Sequence, residues 1–354
     1  MKALVKCASG AGNLCVMEMP EPTPACDQVK IKVMAASICI ADVAYYWKAE
    51  DTLQRLKTPV ILGHEGSGVV VETGPAITHL RPGDRVTAET TLHTCRECDA
   101  CRNGLYNDCK HRRGLGSSAD GFFAEYVVAA AASVHKIPDW LSFEAAAVLE
   151  PLACVTHGIF GQPAWGGIAP YHEVLITGPG PIGLFAAQVA KRCGATVILS
   201  GTSRGMERLR LAQRFGVDYI INSTEENVEA RVMELTQGRG VDIALECSGT
   251  VPAMENCFAA LKHSGLYIWL APHHHGVTYN LPLTDFFIRR QLRVAGARSS
   301  TPAAWDKALR LVRQGKIHAQ ELVSCTLPLE DWERGFQMVQ DREAIKVILD
   351  PNLS

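Results

Sequence analysis

Cys95, Cys98, Cys101 and Cys109 stand in the spacing C-x2-C-x2-C-x7-C. Four thiols this close along one loop can wrap a single tetrahedral zinc with Zn–S bonds of about 2.3 Å. Ordinary buried or disulfide-paired cysteines fit that spacing poorly. A closed four-sulfur site leaves no position for a substrate, so it reads as structural and chemistry must be sought elsewhere. Three separated pieces carry residues able to do it: Cys39 in Ser37-Ile38-Cys39-Ile40-Ala41-Asp42, His64 and Glu65 in Gly63-His64-Glu65-Gly66, and Glu150 in Leu149-Glu150-Pro151-Leu152. A thiolate, an imidazole and a carboxylate converging at a cleft between domains make a three-ligand zinc site with an open fourth position, as catalytic zinc requires. Taken singly, each of these residues reads as structural.

A second chemistry-bearing motif is Gly178-Pro179-Gly180-Pro181-Ile182-Gly183, which matches G-x-G-x-x-G after a predicted strand and at the opening of a predicted helix. In that context Gly178 allows the tight turn, Gly180 lets backbone approach a pyrophosphate, and Gly183 permits close packing of the helix, whose N-terminus favours the anion. Cofactor choice is read at the end of the next strand, where an acidic side chain would bond a ribose 2′-hydroxyl. Ser200-Gly201-Thr202-Ser203-Arg204 stands there instead. With no carboxylate to repel a 2′-phosphate, and with hydroxyls and Arg204 to bind it, NADP(H) is favoured over NAD(H), although Arg204 as a solvated surface arginine stays open.

The elements that must position these motifs fall into two styles. The chain has 354 residues, which predicts two domains sharing a cleft. Up to about residue 150, short β-rich runs such as Val29–Val33, Gly66–Val71 and Gly83–Val86 alternate with turns, reading as a small barrel or sandwich. From about residue 174, apolar strands alternate with amphipathic helices, the order of a doubly wound parallel sheet in an α/β protein. The tail after about 288 returns to mixed short elements and is expected to rejoin the first domain. Lys plus Arg number 35 against 37 for Asp plus Glu, with no long run of one sign, which predicts a small-molecule partner and argues against nucleic acid or an anionic membrane. The N-terminus, Met1-Lys2-Ala3-Leu4-Val5-Lys6, does not read as a secretory signal, and no stretch of about twenty apolar residues offers a bilayer span. The 13 cysteines, nine of them scattered outside the cluster, suit a reducing cytoplasm.

Together, in this order along the chain, the cysteine lobe, the three ligand pieces and the glycine motif resemble the zinc-dependent medium-chain dehydrogenases/reductases. The likeness covers essentially the whole chain. It is nearest to the polyol branch, the sorbitol (L-iditol) and arabitol-phosphate dehydrogenases, where the third catalytic position is glutamate, as Glu150 is here. Gly83 to Thr91 and Gly296-Ala297-Arg298-Ser299 look like the arabitol-phosphate enzymes in particular. The resemblance implies a GroES-like β-barrel catalytic domain (1–153 and 288–354, with the structural zinc lobe at about 93–111) and a Rossmann domain (154–287). It implies two Zn2+ per chain: a catalytic zinc held by Cys39, His64 and Glu150, with Glu65 as neighbour or alternate ligand and Asp42 orienting the ligands, and a structural zinc on the four cysteines. It also implies that Glu246-Cys247-Ser248-Gly249 and Leu270-Ala271 line the ribose and nicotinamide, that Arg298 faces the substrate end, and that the protein is a homodimer or homotetramer.

One departure stands out. The family normally carries Ser or Thr two residues after the catalytic cysteine, and often His three residues further, as a relay for the hydroxyl proton; here these positions are Ala41 and Ala44. A zinc-bound water working with Glu150 or Glu65, room for a bulkier substrate, and loss of ordinary turnover all remain open. The expected reaction is hydride transfer between NAD(P)(H) and a secondary alcohol of a polyol, sugar or polyol phosphate. Transient oxidation followed by elimination or epimerisation is one alternative, and a non-catalytic NADP(H)-binding sensor is another. Arg298 and Tyr45 are candidate substrate contacts, whereas Arg112 and Arg113 read as surface charge.

Overall fold

The computed structural model describes residues 1–47, 56–161, 166–271 and 278–353. It divides into two units, Met1–Glu150 with His318–Ser354, and Pro151–Ile317.

The first unit grows around the strand Gln28–Ser37, where Val29, Ile31 and Val33 are fully buried. This strand pairs antiparallel with Glu65–Thr73, with Tyr126–Ala130 and, at its far end, with Lys346–Asp350. Arg85–Ala88 and Val134–Lys136 extend the sheet on one side, and Val323–Pro328 extends it on the other. A smaller sheet sets Lys2–Lys6 between Leu14–Glu18 and Val60–Ile61. Close approach of the strands demands glycine at position 68, because a Cβ there would lie 2.0 Å from the Lys32 carbonyl oxygen. Phe122, Phe123, Phe336 and Leu349 fill the core with the strand side chains.

In the second unit six strands run in the order Tyr219–Asn222, Thr196–Gly201, Glu173–Thr177, Val241–Glu246, Leu261–Trp269 and Arg293–Gly296. Every neighbouring pair is parallel. By chain position this is 3-2-1-4-5-6, the doubly wound order of dinucleotide-binding sheets. Its central strands are buried almost end to end, which is why they read as continuous apolar runs rather than alternating ones. Helix Pro181–Arg192 begins with proline in its first turn, where the missing N–H costs nothing.

Both expected domain boundaries shift. The chain returns to the first unit at His318, not at 288, because Arg293–Gly296 pairs with Leu261–Trp269 as the sixth strand of the parallel sheet. Helix Pro302–Arg313 stays with that unit too, tied to it by Thr156 Oγ1 donating to the Ala304 carbonyl at 2.8 Å. Arg293, Val294 and Gly296 are exposed on the sheet edge, so the segment lacks the apolar run that marks its neighbours. Upstream, the division falls between Glu150 and Pro151 rather than after 153, since Glu150 in the first turn of helix Leu149–Phe160 belongs with the first unit. Phe143–Phe160 is long and apolar enough to cross a membrane by length and composition, although the sequence reading found no such stretch, and 78% of it is buried as core.

Helix Trp332–Gln340 supports the short helix Ile40–Trp47, which carries two of the expected site residues. Tyr46 meets Trp332 edge-on at 5.0 Å, and Phe336 packs against both, 5.3 Å from Trp332 and 6.3 Å from Tyr46. Phe336→Ala is expected to cost about 3–5 kcal/mol through lost burial and a residual cavity, read as a lower urea midpoint at unchanged slope.

Candidate active site

Antiparallel register brings the first expected ligands together. Ser37 pairs with Glu65 at the ends of their strands, so Cys39, two residues beyond one end, faces His64, one residue before the other. Gly63 makes the approach possible: its φ is +88°, and a Cβ would sit 2.6 Å from the Phe123 ring. Ligand atoms of Cys39, His64 and Glu65 all lie within 4.8 Å of one another. Asp42, fully buried in the first turn of the next helix, accepts from the Cys39 backbone N–H at 3.0 Å through Oδ2 and meets His64 Nδ1 at 3.2 Å through Oδ1. A proton held at Nδ1 by that carboxylate leaves Nε2 as the lone-pair donor that a metal needs. Burial pulls the His64 pKa down, but the Asp42 carboxylate and the Cys39 sulfur outweigh it and hold it well above its ordinary value.

Glu65 has a partner that sequence reasoning missed. Lys346, buried on the last strand, donates to both carboxylate oxygens, at 2.7 and 2.6 Å, and to the Ile38 carbonyl at 3.3 Å. Burial pushes the Lys346 pKa down, and the charges of Glu65, Cys39 and Glu150 lift it above its ordinary value. No local pattern marks Lys346, because it reaches Glu65 only through the pairing of Ile348 with Ser37. Glu150 is buried and its charge bears on Lys346, yet among the described residues it lies outside the set whose ligand atoms fall within 4.8 Å.

Tyr45 borders this cluster. Burial pushes its phenol up to about 12, with His64, Asp42, Cys39 and Arg112 as the charges it feels. Arg112 therefore corrects an expectation: it is half-buried rather than surface charge, donating from Nε to Thr91 Oγ1 at 2.9 Å and from its terminal nitrogen to Thr90 Oγ1 at 2.5 Å. Arg113 is exposed, as surface charge would be. Ala41 and Ala44 lie on the helix with Asp42 and Tyr45 and present only methyl groups.

The four lobe cysteines form a second cluster, their sulfurs mutually within 4.8 Å. Arg96 adopts φ +59° at the knuckle, and the Cys98 N–H donates to Cys95 Sγ at 3.4 Å while the Cys95 N–H donates to Cys109 Sγ at 3.5 Å. The Glu97 and Cys98 amides draw the Cys95 thiol down to about 6, whereas burial pushes Cys101 up to about 12. Amide donors aimed at sulfur suit thiolates, and an all-sulfur tetrad suits zinc. Both clusters therefore fit the metals their residue types suggest.

The second unit gathers its motif residues at the carboxyl ends of the parallel strands, where such sheets bind ligands. Gly178 has φ +94°, and a Cβ on Gly183 would lie 1.9 Å from the Gly178 oxygen, so both glycines are required. A Cβ on Gly180 would meet nothing within 4 Å, leaving space in front of the helix start at Pro181 and Ile182. Glu246 Oε1 accepts from the Ser248 and Gly249 amides and the Ser248 hydroxyl, and the Glu246 carbonyl accepts from the Leu270 and Ala271 amides at 3.0 and 3.2 Å. Those bonds place Cys247, Ser248, Leu270 and Ala271 side by side. Arg298 is exposed just beyond the edge strand. Ser200 and Gly201 end their strand buried, and Thr202, Ser203 and Arg204 follow exposed. The Ser203 hydroxyl is engaged by the Asn222 amide at 2.9 Å.

Comparison with known proteins agrees with this geometry. Residues 25–139 match the alcohol dehydrogenase GroES-like domain, and residues 181–314 match the zinc-binding dehydrogenase domain. A sorbitol dehydrogenase of Halalkalibacterium halodurans is 42% identical over 99% of both chains. A D-arabitol-phosphate dehydrogenase of Enterococcus avium is 37% identical over 99% of this chain and 98% of its own. The crystal structure of a zinc-binding dehydrogenase from Sinorhizobium meliloti 1021 bound to NADP superposes with a TM-score of 0.88, at 31% identity and 99% coverage of both chains.

Lys346→Met would leave the Glu65 carboxylate buried without its partner. The expected loss for metal-free protein is about 3–5 kcal/mol, read as a lower urea midpoint, and zinc should restore part of it by replacing the missing positive charge.

Proposed function

Since the chain belongs to the zinc-dependent medium-chain dehydrogenase/reductase family, in its polyol branch, we propose that it moves a hydride between NADP(H) and a secondary hydroxyl of a polyol or polyol phosphate. The observation that carries this reading is the convergence of Cys39, His64 and Glu65 around Asp42, in a chain that also folds a dinucleotide-binding sheet.

Labour is divided between the two units. Cys39, His64 and a carboxylate would hold a zinc, which would supply Lewis acidity toward a substrate hydroxyl. NADP(H) supplies the redox chemistry. Everything else is work for the chain. Asp42 holds the His64 tautomer and, through the Cys39 amide, the backbone beside the thiolate. Tyr45 offers an apolar ring and a phenol that stays protonated near neutral pH to the substrate side. Arg298 supplies a guanidinium for hydroxyls or a phosphate. With alanine at 41 and 44 the hydroxyl proton leaves through a carboxylate, Glu150 or Glu65, of which Glu65 has both oxygens bonded to Lys346. Cys95, Cys98, Cys101 and Cys109 would hold a structural zinc that would stabilise the lobe.

NADP(H) preference rests on the absence of a carboxylate from Ser200 to Arg204 and on the exposed Arg204 and Thr202. Because Ser203 is already bonded to Asn222, the 2′-phosphate depends mainly on Arg204. The same reading extends to a cytoplasmic homo-oligomer acting on a small molecule; the balanced charge suits the small-molecule partner.

Zinc-loaded protein mixed with NADP+ and a panel of polyols and polyol phosphates should accumulate reduced cofactor, followed by absorbance, with the ketone or aldehyde seen by NMR. Product without accumulated reduced cofactor would replace this reading with transient oxidation, and cofactor binding without any turnover would replace it with a sensor. Cys39→Ser should abolish turnover and one zinc while leaving the lobe zinc. Arg204→Gln should cut the NADP+/NAD+ ratio of kcat/KM by about 10–150-fold, the equivalent of one charge-assisted bond of about 1.5–3 kcal/mol.

A further inference from the structure

Among the described residues, a pair of thiols outside both cysteine clusters and the ligand set touches. Cys7 follows the strand Lys2–Lys6, Cys15 lies in the strand Leu14–Glu18, and their sulfurs are 3.3 Å apart. Both are exposed. In the ladder Val5 stands opposite Cys15 and Lys6 opposite Leu14, which makes Cys7 and Cys15 a diagonal pair. The turn between them brings the sulfurs together: Gly10, Gly12 and Asn13 adopt φ +88°, +68° and +53°. It is a held turn, not a loose one. The Lys6 ammonium donates to the Gly10 and Gly12 carbonyls, the Cys7 N–H donates to the Asn13 carbonyl at 2.8 Å, and the Gly12 N–H donates to the Tyr46 carbonyl at 2.7 Å.

We propose that Cys7 and Cys15 are a redox-modifiable dithiol that closes to a cross-strand disulfide with peroxide or a small-molecule disulfide as oxidant. Closure needs the sulfurs to approach by about 1.3 Å to reach bonding distance, and the hairpin is already formed, so little chain order is added. With glutathione disulfide, one thiolate attacks a glutathione sulfur and expels one glutathione thiolate. The second protein thiolate then attacks the mixed disulfide and expels the other. Two electrons pass from the protein to the oxidant, two glutathiones are released, and the two thiol protons go to them. The bond from Cys15 holds the Cys7 thiol above its ordinary pKa, and closure accelerates as pH rises because the thiolate is the nucleophile. Neither sulfur belongs to the ligand set proposed for either zinc, so closure leaves both sites filled.

The test is a glutathione disulfide titration of the zinc-loaded full chain, followed by alkylation of remaining thiols and digestion without reductant. Cys26, also exposed, is the internal control for simple accessibility. The expected product is one linked peptide pair carrying Cys7 and Cys15, lighter by two hydrogens, with zinc content unchanged. Cys7→Ser and Cys15→Ser should each trap one stable glutathione on the remaining cysteine. Separate glutathiones on Cys7 and Cys15 without a link, or full alkylation of both while Cys26 is modified, would overturn the proposal. Because the readout is covalent and independent of turnover, it stands apart from the dehydrogenase reading.

Discussion

Lys346 against Glu65, an ammonium and a carboxylate both buried beside the ligand cluster, is the interaction on which the first unit depends. Taking two charges out of water costs several kcal/mol per ion, and their attraction recovers this only when geometry is good and the remaining donors are satisfied. Here the ammonium spans both carboxylate oxygens and adds the Ile38 carbonyl. The two residues are 281 apart in the chain, so the pair ties the last strand to the start of the unit. It also fixes register. A one-residue slip of Lys346–Asp350 would turn the lysine to the opposite face and strand both charges, which makes every wrong pairing of that strand expensive. By bonding both oxygens of Glu65, the lysine also fixes the carboxylate next to His64 in place.

The rest of the cluster follows from strand pairing and one carboxylate. Ser37 opposite Glu65 sets Cys39 and His64 side by side, and Asp42, one helical turn past Cys39, bonds to both. A single buried aspartate thus orients an imidazole and the backbone of a thiolate. Its own burial is offset by those two bonds, and the helix that carries it is braced by the aromatic contacts of Tyr46, Trp332 and Phe336.

What could be read from the sequence was what is local. The lobe cysteines span fifteen positions and the glycine motif six, so spacing alone carries their geometry. The strands of the parallel sheet announce themselves as apolar runs because both faces are covered. Lys346 and Arg112 were invisible for the opposite reason: their partners are set by tertiary pairing, and a lysine or arginine out of context reads as surface. The late return to the first unit was hidden by an edge strand, Arg293–Gly296, whose exposed residues break the apolar pattern. Glu150 was legible as a motif residue, but its distance from the other three was not, because it sits on a separate helix.

That separation bears on how a proton can leave. In a site where Ser or Thr and then His pass the proton outward, the carboxylates need only tune charge. Alanine at 41 and 44 can take part in neither step. Glu65 holds the Lys346 ammonium through both of its oxygens, and without it the ammonium would lie buried beside only the Ile38 carbonyl. The charge of Glu150 also bears on Lys346, while Glu65 supplies the contacts. Glu65 is therefore committed to the architecture as the buried counter-charge of the last strand.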